Sequence, residues 1–195
     1  MTIHPASSSQ SSPQSSPSSA LAPTVLSPAA CAIRLTPEQG ERFSIIGGGV
    51  RILIDGAGSG GRCCMFEASI PPGDGPPLHR HQREDELFYI LEGRFKFSID
   101  GREFIAEPPP GGRGGAFICA PCGSIHAFKN IGSEMGRFLI TCTPAGIEIP
   151  FRAIQSSPPS SPTPSSPATP GLPSMEQIAA ELGRHGITFH GPPLE

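Results

Sequence analysis

The sequence predicts an all-β domain, and three observations carry that expectation. Between Glu41 and Thr143 the apolar residues come in short runs, each closed by Gly, Pro or Asp-Gly, the rhythm of a sandwich or barrel. Within "RFKFSIDGREFIA", Phe95, Phe97 and Ile99 alternate with polar residues and lead into Asp100-Gly101, the dipeptide of a type I′ hairpin turn. Only one segment, Met175 to about His185, carries a helical stripe.

The chain has 195 residues, and its 24 glycines and 25 prolines are unevenly spread. Residues 5–28 and 155–173 are Ser/Pro tracts with too few large apolar groups to offset the entropy of ordering them. The expected organisation is a disordered tail over residues 1–30, a barrel over 31–154, a disordered linker over 155–173, and a helix with a short tail over 174–195. A formal net charge of −3 with only two lysines gives no basic surface for nucleic acid. No run approaches the roughly 20 apolar residues of a membrane helix. The first residues lack both the basic start and the apolar run of a secretory signal, so a cytoplasmic location is expected. In that setting the six cysteines read as free thiols rather than as a disulfide framework.

Taken in order, the strand candidates begin with Glu41–Ile46 and Val50–Ile54. Gly56, Gly58 and Gly61 then imitate a dinucleotide fingerprint, but that fingerprint needs a helix next, and "RCCMFEASIPPG" is β-like and ends in two prolines. A hairpin loop is the better account. Arg62–Ile70 follows, with Cys63 and Cys64 on opposite faces, then Leu78–His81, Glu86–Leu91, and the hairpin Arg94–Ile99 with Arg102–Ala106. Gly115–Ala120 runs into Cys119-Ala-Pro-Cys122. That pair has redox spacing but sits on a strand rather than at a helix N-terminus, and is read as structural. Ala127–Asn130 and Arg137–Thr143 complete the strands. The helix opens with Ser174 and Gln177 as a capping box, shows Met175, Ile178, Ala179 and Leu182 on one face, and stops at Gly186; it is expected to pack back on the barrel.

Chemistry concentrates in "HRHQREDELFYIL". Residues i and i+2 of a strand share a face, so His79 and His81 aim two imidazoles into one space, a pairing suited to Zn, Fe, Cu or Ni. If "QRED" forms the turn, the Glu86 carboxylate returns beside the rings, and Arg83, Glu84 and Asp85 are solvated charges. His126, after the Pro121–Gly123 turn, is the remaining histidine of the barrel body and the candidate fourth ligand.

These residues resemble the two motifs of the cupin family. Gly73, His79, His81, Glu86 and Gly93 match the first, and Gly115, Pro121, Gly123, His126 and Asn130 match the second, 21 residues further on. The similarity covers roughly Glu41 to Ile154 in one copy. It implies a double-stranded β-helix, or jelly-roll barrel, that holds one divalent metal through His79, His81, Glu86 and His126, with a homodimer as a common assembly. Gly93 and Gly123 are then turn positions that call for a positive φ.

Three imidazoles and one carboxylate leave two open positions on an octahedral ion, one for an anionic substrate oxygen and one for dioxygen or water. The stretch "HAFKNIGSEMGRFLITCTPAGIEIPFRAI" looks most similar to small cupins related to quercetin 2,3-dioxygenase. The resemblance therefore implies a metal-dependent dioxygenase of a small enolic or phenolic compound, with Glu86 also accepting the substrate's hydroxyl proton. The alternatives are a non-catalytic small-molecule sensor and a metal-dependent isomerase. Iron leads the metals, with Mn, Ni, Cu, Co and Zn also compatible with these ligands. Phe66, Phe88, Phe95, Phe97, Phe117 and Phe128 supply core and pocket wall between them.

Overall fold

In the computed structural model, which describes residues 32–111, 114–156 and 173–195, period-two alternation builds two antiparallel sheets with their apolar faces together. One sheet holds, in spatial order, β1 (Arg42–Ile45), β2 (Gly48–Ile54), β3 (Cys64–Ile70), β10 (Gly136–Thr143), β5 (Asp85–Glu92) and β8 (Phe117–Ala120). The other holds β11 (Ile187–Phe189), β4 (His79–His81), β9 (Ile125–Asn130), β6 (Phe95–Ile99) and β7 (Arg102–Ala106). The expected all-β jelly roll is the fold observed. Residues 1–31 and 157–172, on which the expected disordered tail and most of the expected linker fall, lie outside the described residues.

Phenylalanines fill the space between the sheets. Phe66, Phe88, Phe95, Phe97 and Phe138 are fully buried, and Phe138 has ring neighbours at 4.8 Å (Phe95), 4.9 Å (Phe128) and 5.9 Å (Phe88), all edge-on. The hairpin turn forms as expected, with φ of +48° at Asp100 and +76° at Gly101. Asp100 also ties this turn to the start of β9, because its Oδ1 accepts the Ile125 N–H at 2.9 Å. Gly93 and Gly123 take the expected positive φ values.

Asn130, the last motif residue, pins a loop rather than a ligand. Its buried amide donates to the Ile70 and Glu134 carbonyls at 2.8 Å each and accepts the Gly132 N–H at 2.9 Å, so both ends of the amide are satisfied.

On the outer face of the first sheet, Glu67 joins three strands by accepting from Arg51 at 2.7 Å and from Arg137 at 2.9 Å. Burial alone would raise the Glu67 carboxyl, yet the two guanidinium groups hold it below the ordinary value. A depressed folded-state pKa means this contribution is fully present above the unfolded value near 4.3 and fades as pH falls through the folded one. Replacing Glu67 with Gln is therefore expected to cost on the order of 1 kcal/mol at pH 7, since Arg137 is partly solvated, and to cost progressively less in acid. Denaturant melts of both proteins at pH 7 and pH 3 check this; a gap that stays constant with pH refutes it.

Helices appear where one was expected and in two further places. α1 (Gly56–Ser59) is a single turn inside the glycine loop. It leaves no cradle for phosphate, because Asp55 Oδ1 accepts the Gly58 N–H and Glu148 Oε1 accepts that of Gly56. α2 (Glu148–Ser156) carries Phe151 and Ile154 on its buried face and extends order past Ile154. α3 (Met175–Arg184) has the expected capping box and buries Ile178 and Leu182, while Met175 turns to solvent instead of joining the stripe. Right after it, β11 hydrogen-bonds to β4, so the C-terminal piece is stitched to the strand that bears His79 and His81.

Candidate metal centre

Three strands converge on a single point. On β4, alternation buries His79 and His81 and leaves Arg80 half-buried. β9 runs antiparallel to β4 with His126 directly opposite His79, and β5 brings Glu86 in from the other sheet. The four predicted ligands are all buried, and their donor atoms lie within 4.8 Å of one another. Glu86 Oε2 is the hub, at 2.8 Å from His126 Nε2, 3.4 Å from His81 Nε2 and 4.0 Å from His79 Nε2.

Behind each ring stands an oxygen. His79 Nδ1 faces the Pro77 carbonyl at 2.8 Å, His126 Nδ1 faces the Ser124 carbonyl at 3.3 Å, and His81 Nδ1 faces Glu84 Oε2 at 3.5 Å. With Nδ1 turned backward, each ring presents Nε2 toward Glu86, the nitrogen that would ligate an ion, and His126 Nε2 donates to the Glu86 carboxylate in the metal-free site.

Electrostatics agree with this orientation. Burial, reinforced by the neighbouring His126 and His81, drives His79 down to about 3, so it is a neutral imidazole. Burial alone would raise Glu86, but His81, His126 and His79 together bring it to about 2, so it is a carboxylate. For His81, burial pushes downward while Glu86 and Glu84 on its two sides hold it above the ordinary value. A buried anion faced by three rings is a donor set that a divalent cation completes. Metal–ligand bonds of about 2.1 Å put adjacent donors about 3.0 Å apart and opposite donors about 4.2 Å apart, close to the spacing found here. The residues fit a metal ion.

One expectation needs correcting. Glu84 is not a solvated charge: it is 4% exposed, as buried as Glu86, because it continues the inward alternation of β5 back into the turn. Asp85, on the opposite face, is exposed, and its Oδ1 accepts the Cys122 N–H at 2.8 Å. Sequence reasoning named the four residues that gather here but missed the one behind His81. Cys119 and Cys122 are exposed free thiols on β8 and the turn after it and are not among the four gathered residues, although the Cys122 thiol donates to the His81 carbonyl at 3.7 Å.

The centre floors a cavity of about 90 Å³. Besides His79, His81 and Glu86, every lining residue among the described residues is apolar, and no Arg or Lys is among them. Phe66 and Phe128 belong to this wall, whereas Phe88, Phe95 and Phe97 are core and Phe117 is 63% exposed on an edge strand. The roof comes from the C-terminal elements: Phe151 and Ile154 of α2, Ile178 and Leu182 of α3, and Ile187 and Phe189 of β11. Register explains the last two, since Ile187 pairs with His81 and Phe189 with His79, and directly paired residues project from the same face.

Comparison with known proteins agrees with this architecture. A family model described as a cupin domain matches residues 66–142, which include His79, His81, Glu86 and His126. The polyketide synthase CurC of Streptomyces cyaneus is 30% identical over 102 residues, covering 50% of this chain and 60% of that protein. An uncharacterised protein of Methanocaldococcus jannaschii is 33% identical over 69 residues, covering 35% of this chain and 50% of its own. The chain thus spans only half to three-fifths of the curated relatives it matches. Among solved structures, KdgF from Halomonas sp. superposes with a TM-score of 0.51 at 13% identity, over 61% of this chain and 99% of that one, a likeness of fold alone.

Proposed function

We propose that the barrel, whose residues 66–142 match a cupin-domain model, works as a metal-dependent dioxygenase of a small enolic or phenolic compound. The observation that carries this reading is the pairing of a three-histidine, one-carboxylate group with a cavity whose remaining described lining is apolar and carries no cationic side chain. A sugar phosphate or a small dicarboxylate would bring about two negative charges where the ion and Glu86 together leave about +1, and no cationic side chain among the described lining residues offsets the rest, at a cost of several kcal/mol. A neutral ring with one ionisable hydroxyl suits the same walls. When bound, a divalent ion supplies Lewis acidity and open coordination positions.

The chain's own residues supply the rest. Phe66, Phe128 and Phe189 hold the ring, and the roof formed by α2, α3 and β11 keeps bulk water from the centre. Glu86, deprotonated at neutral pH and facing the cavity, accepts the proton of the substrate hydroxyl. A cavity of about 90 Å³ is smaller than the roughly 150 Å³ that accommodates benzene, so ring entry displaces part of the roof. Five free thiols among the described residues suit a reducing compartment, which favours the cytoplasm.

A second reading, a polyketide-processing step that uses the metal but not dioxygen, is favoured by the similarity to CurC. An oxygen-electrode assay separates the two. Protein purified without added metal is analysed for its elements, loaded with Fe(II), and mixed with flavonols, catechols and simple β-diketones. Oxygen uptake in proportion to substrate consumed is the expected result. Substrate conversion without oxygen uptake selects the second reading, and binding without conversion by any metal form overturns both.

A further inference from the structure

Two buried carboxylates flank His81, and only Glu86 belongs to the ligand set. Glu84 Oε2 and His81 Nδ1 face each other at 3.5 Å, both fully out of solvent and both without another hydrogen-bond partner among the described residues. An unpartnered buried carboxylate oxygen and an unpartnered ring nitrogen are each costly, and a fold keeps such a pair when it serves something other than stability. The remaining two ligand rings are backed by the Pro77 and Ser124 carbonyls, which local backbone geometry provides. His81 lacks a carbonyl in that place and has the Glu84 carboxylate instead.

Charge gives the same answer. A divalent ion with neutral imidazoles and Glu86 alone leaves about +1 buried among apolar walls, which is unfavourable in a low-dielectric interior. Glu84 supplies the missing negative charge within reach of the ring that carries it.

We infer that Glu84 is a positioning residue, whose carboxylate accepts the Nδ1–H of His81, directs Nε2 to the ion and brings the loaded centre to neutrality. This rests on the ligand assignment above, not on the choice of substrate. It separates two quantities that usually move together. Removing Glu84 weakens metal binding, yet relieves the metal-free fold of a poorly partnered buried carboxylate.

The test uses zinc as the probe and the full chain in four forms: wild type, Glu84→Gln, Glu84→Met and His81→Ala. Zinc affinity, measured by competition with a chromophoric chelator, is expected to fall about 10–100-fold in E84M and less in E84Q, which keeps an acceptor without the charge. In zinc-loaded wild type, the His81 Nδ1–H gives a downfield, exchange-protected proton resonance that E84M lacks. The metal-free E84M protein melts at or above the wild-type temperature. Zinc affinity in E84M within about twofold of wild type overturns the inference, as does a loss of affinity matched by an equal loss of metal-free stability. If E84M keeps zinc while H81A loses it, the ligand set stands and Glu84 alone is misassigned. If wild type takes up no zinc, Glu84 falls together with the ligand assignment.

Discussion

Protein in which both His79 and His81 are changed to alanine is expected to contain no metal above background, where wild type holds about one ion per chain. Four-ligand zinc sites release about 10–16 kcal/mol on binding, or about 3 kcal/mol per ligand, so losing two donors weakens binding on the order of 10⁴-fold. Glu86 and His126 remain, but two donors do not keep an ion through purification. The barrel itself survives, because β4 is held by backbone pairing to β9 and β11 rather than by its ring nitrogens. Elemental analysis gives the metal content, and circular dichroism shows whether the strands persist. Metal retained by the double variant would refute the assignment of β4 as the ligand strand.

The largest effect on stability is expected at Phe138. It lies on β10, between β3 and β5, with three phenylalanine rings packed edge-on around it and no exposed surface. Phe138→Ala leaves a cavity that these rigid strands cannot close, at a cost of about 3–5 kcal/mol and roughly 10–20 °C in melting temperature. Phe117→Ala is the control, since a residue 63% exposed costs within about 0.5 kcal/mol. Calorimetry on the two variants decides the matter. Similar losses from both would mean that the barrel core is not where the fold places it.

The centre was legible because its information is local and periodic. His-x-His on a strand puts both rings on one face, and the short turn after it keeps Glu86 within reach of them, although the chain crosses there to the other sheet. Glu84 was within reach of the same rule: Glu84, Glu86, Phe88 and Ile90 are two residues apart and all buried. What hid it was the presumption that acids in a turn face water, which fails where the alternation starts before the strand does. α2 was also readable in principle, with Ile147, Phe151 and Ile154 at helical spacing, but Pro150 suggests a break unless it falls in the first turn, where a helix tolerates it. β11 was not readable. Three residues carry no period, and "ITF" becomes a strand only because β4 offers an open edge. The glycine loop shows the reverse situation, a motif-like string whose backbone groups are already occupied by Asp55 and Glu148.

The union of β11 with β4 has a bearing on the order of assembly during synthesis. Partners so distant along the chain meet late, since closing a long loop precedes any reward from the contact. A nascent barrel emerging from the ribosome therefore passes through a stage with its histidines built and its mouth uncovered, which gives an ion an unobstructed way in before residues 187–189 arrive to seal it.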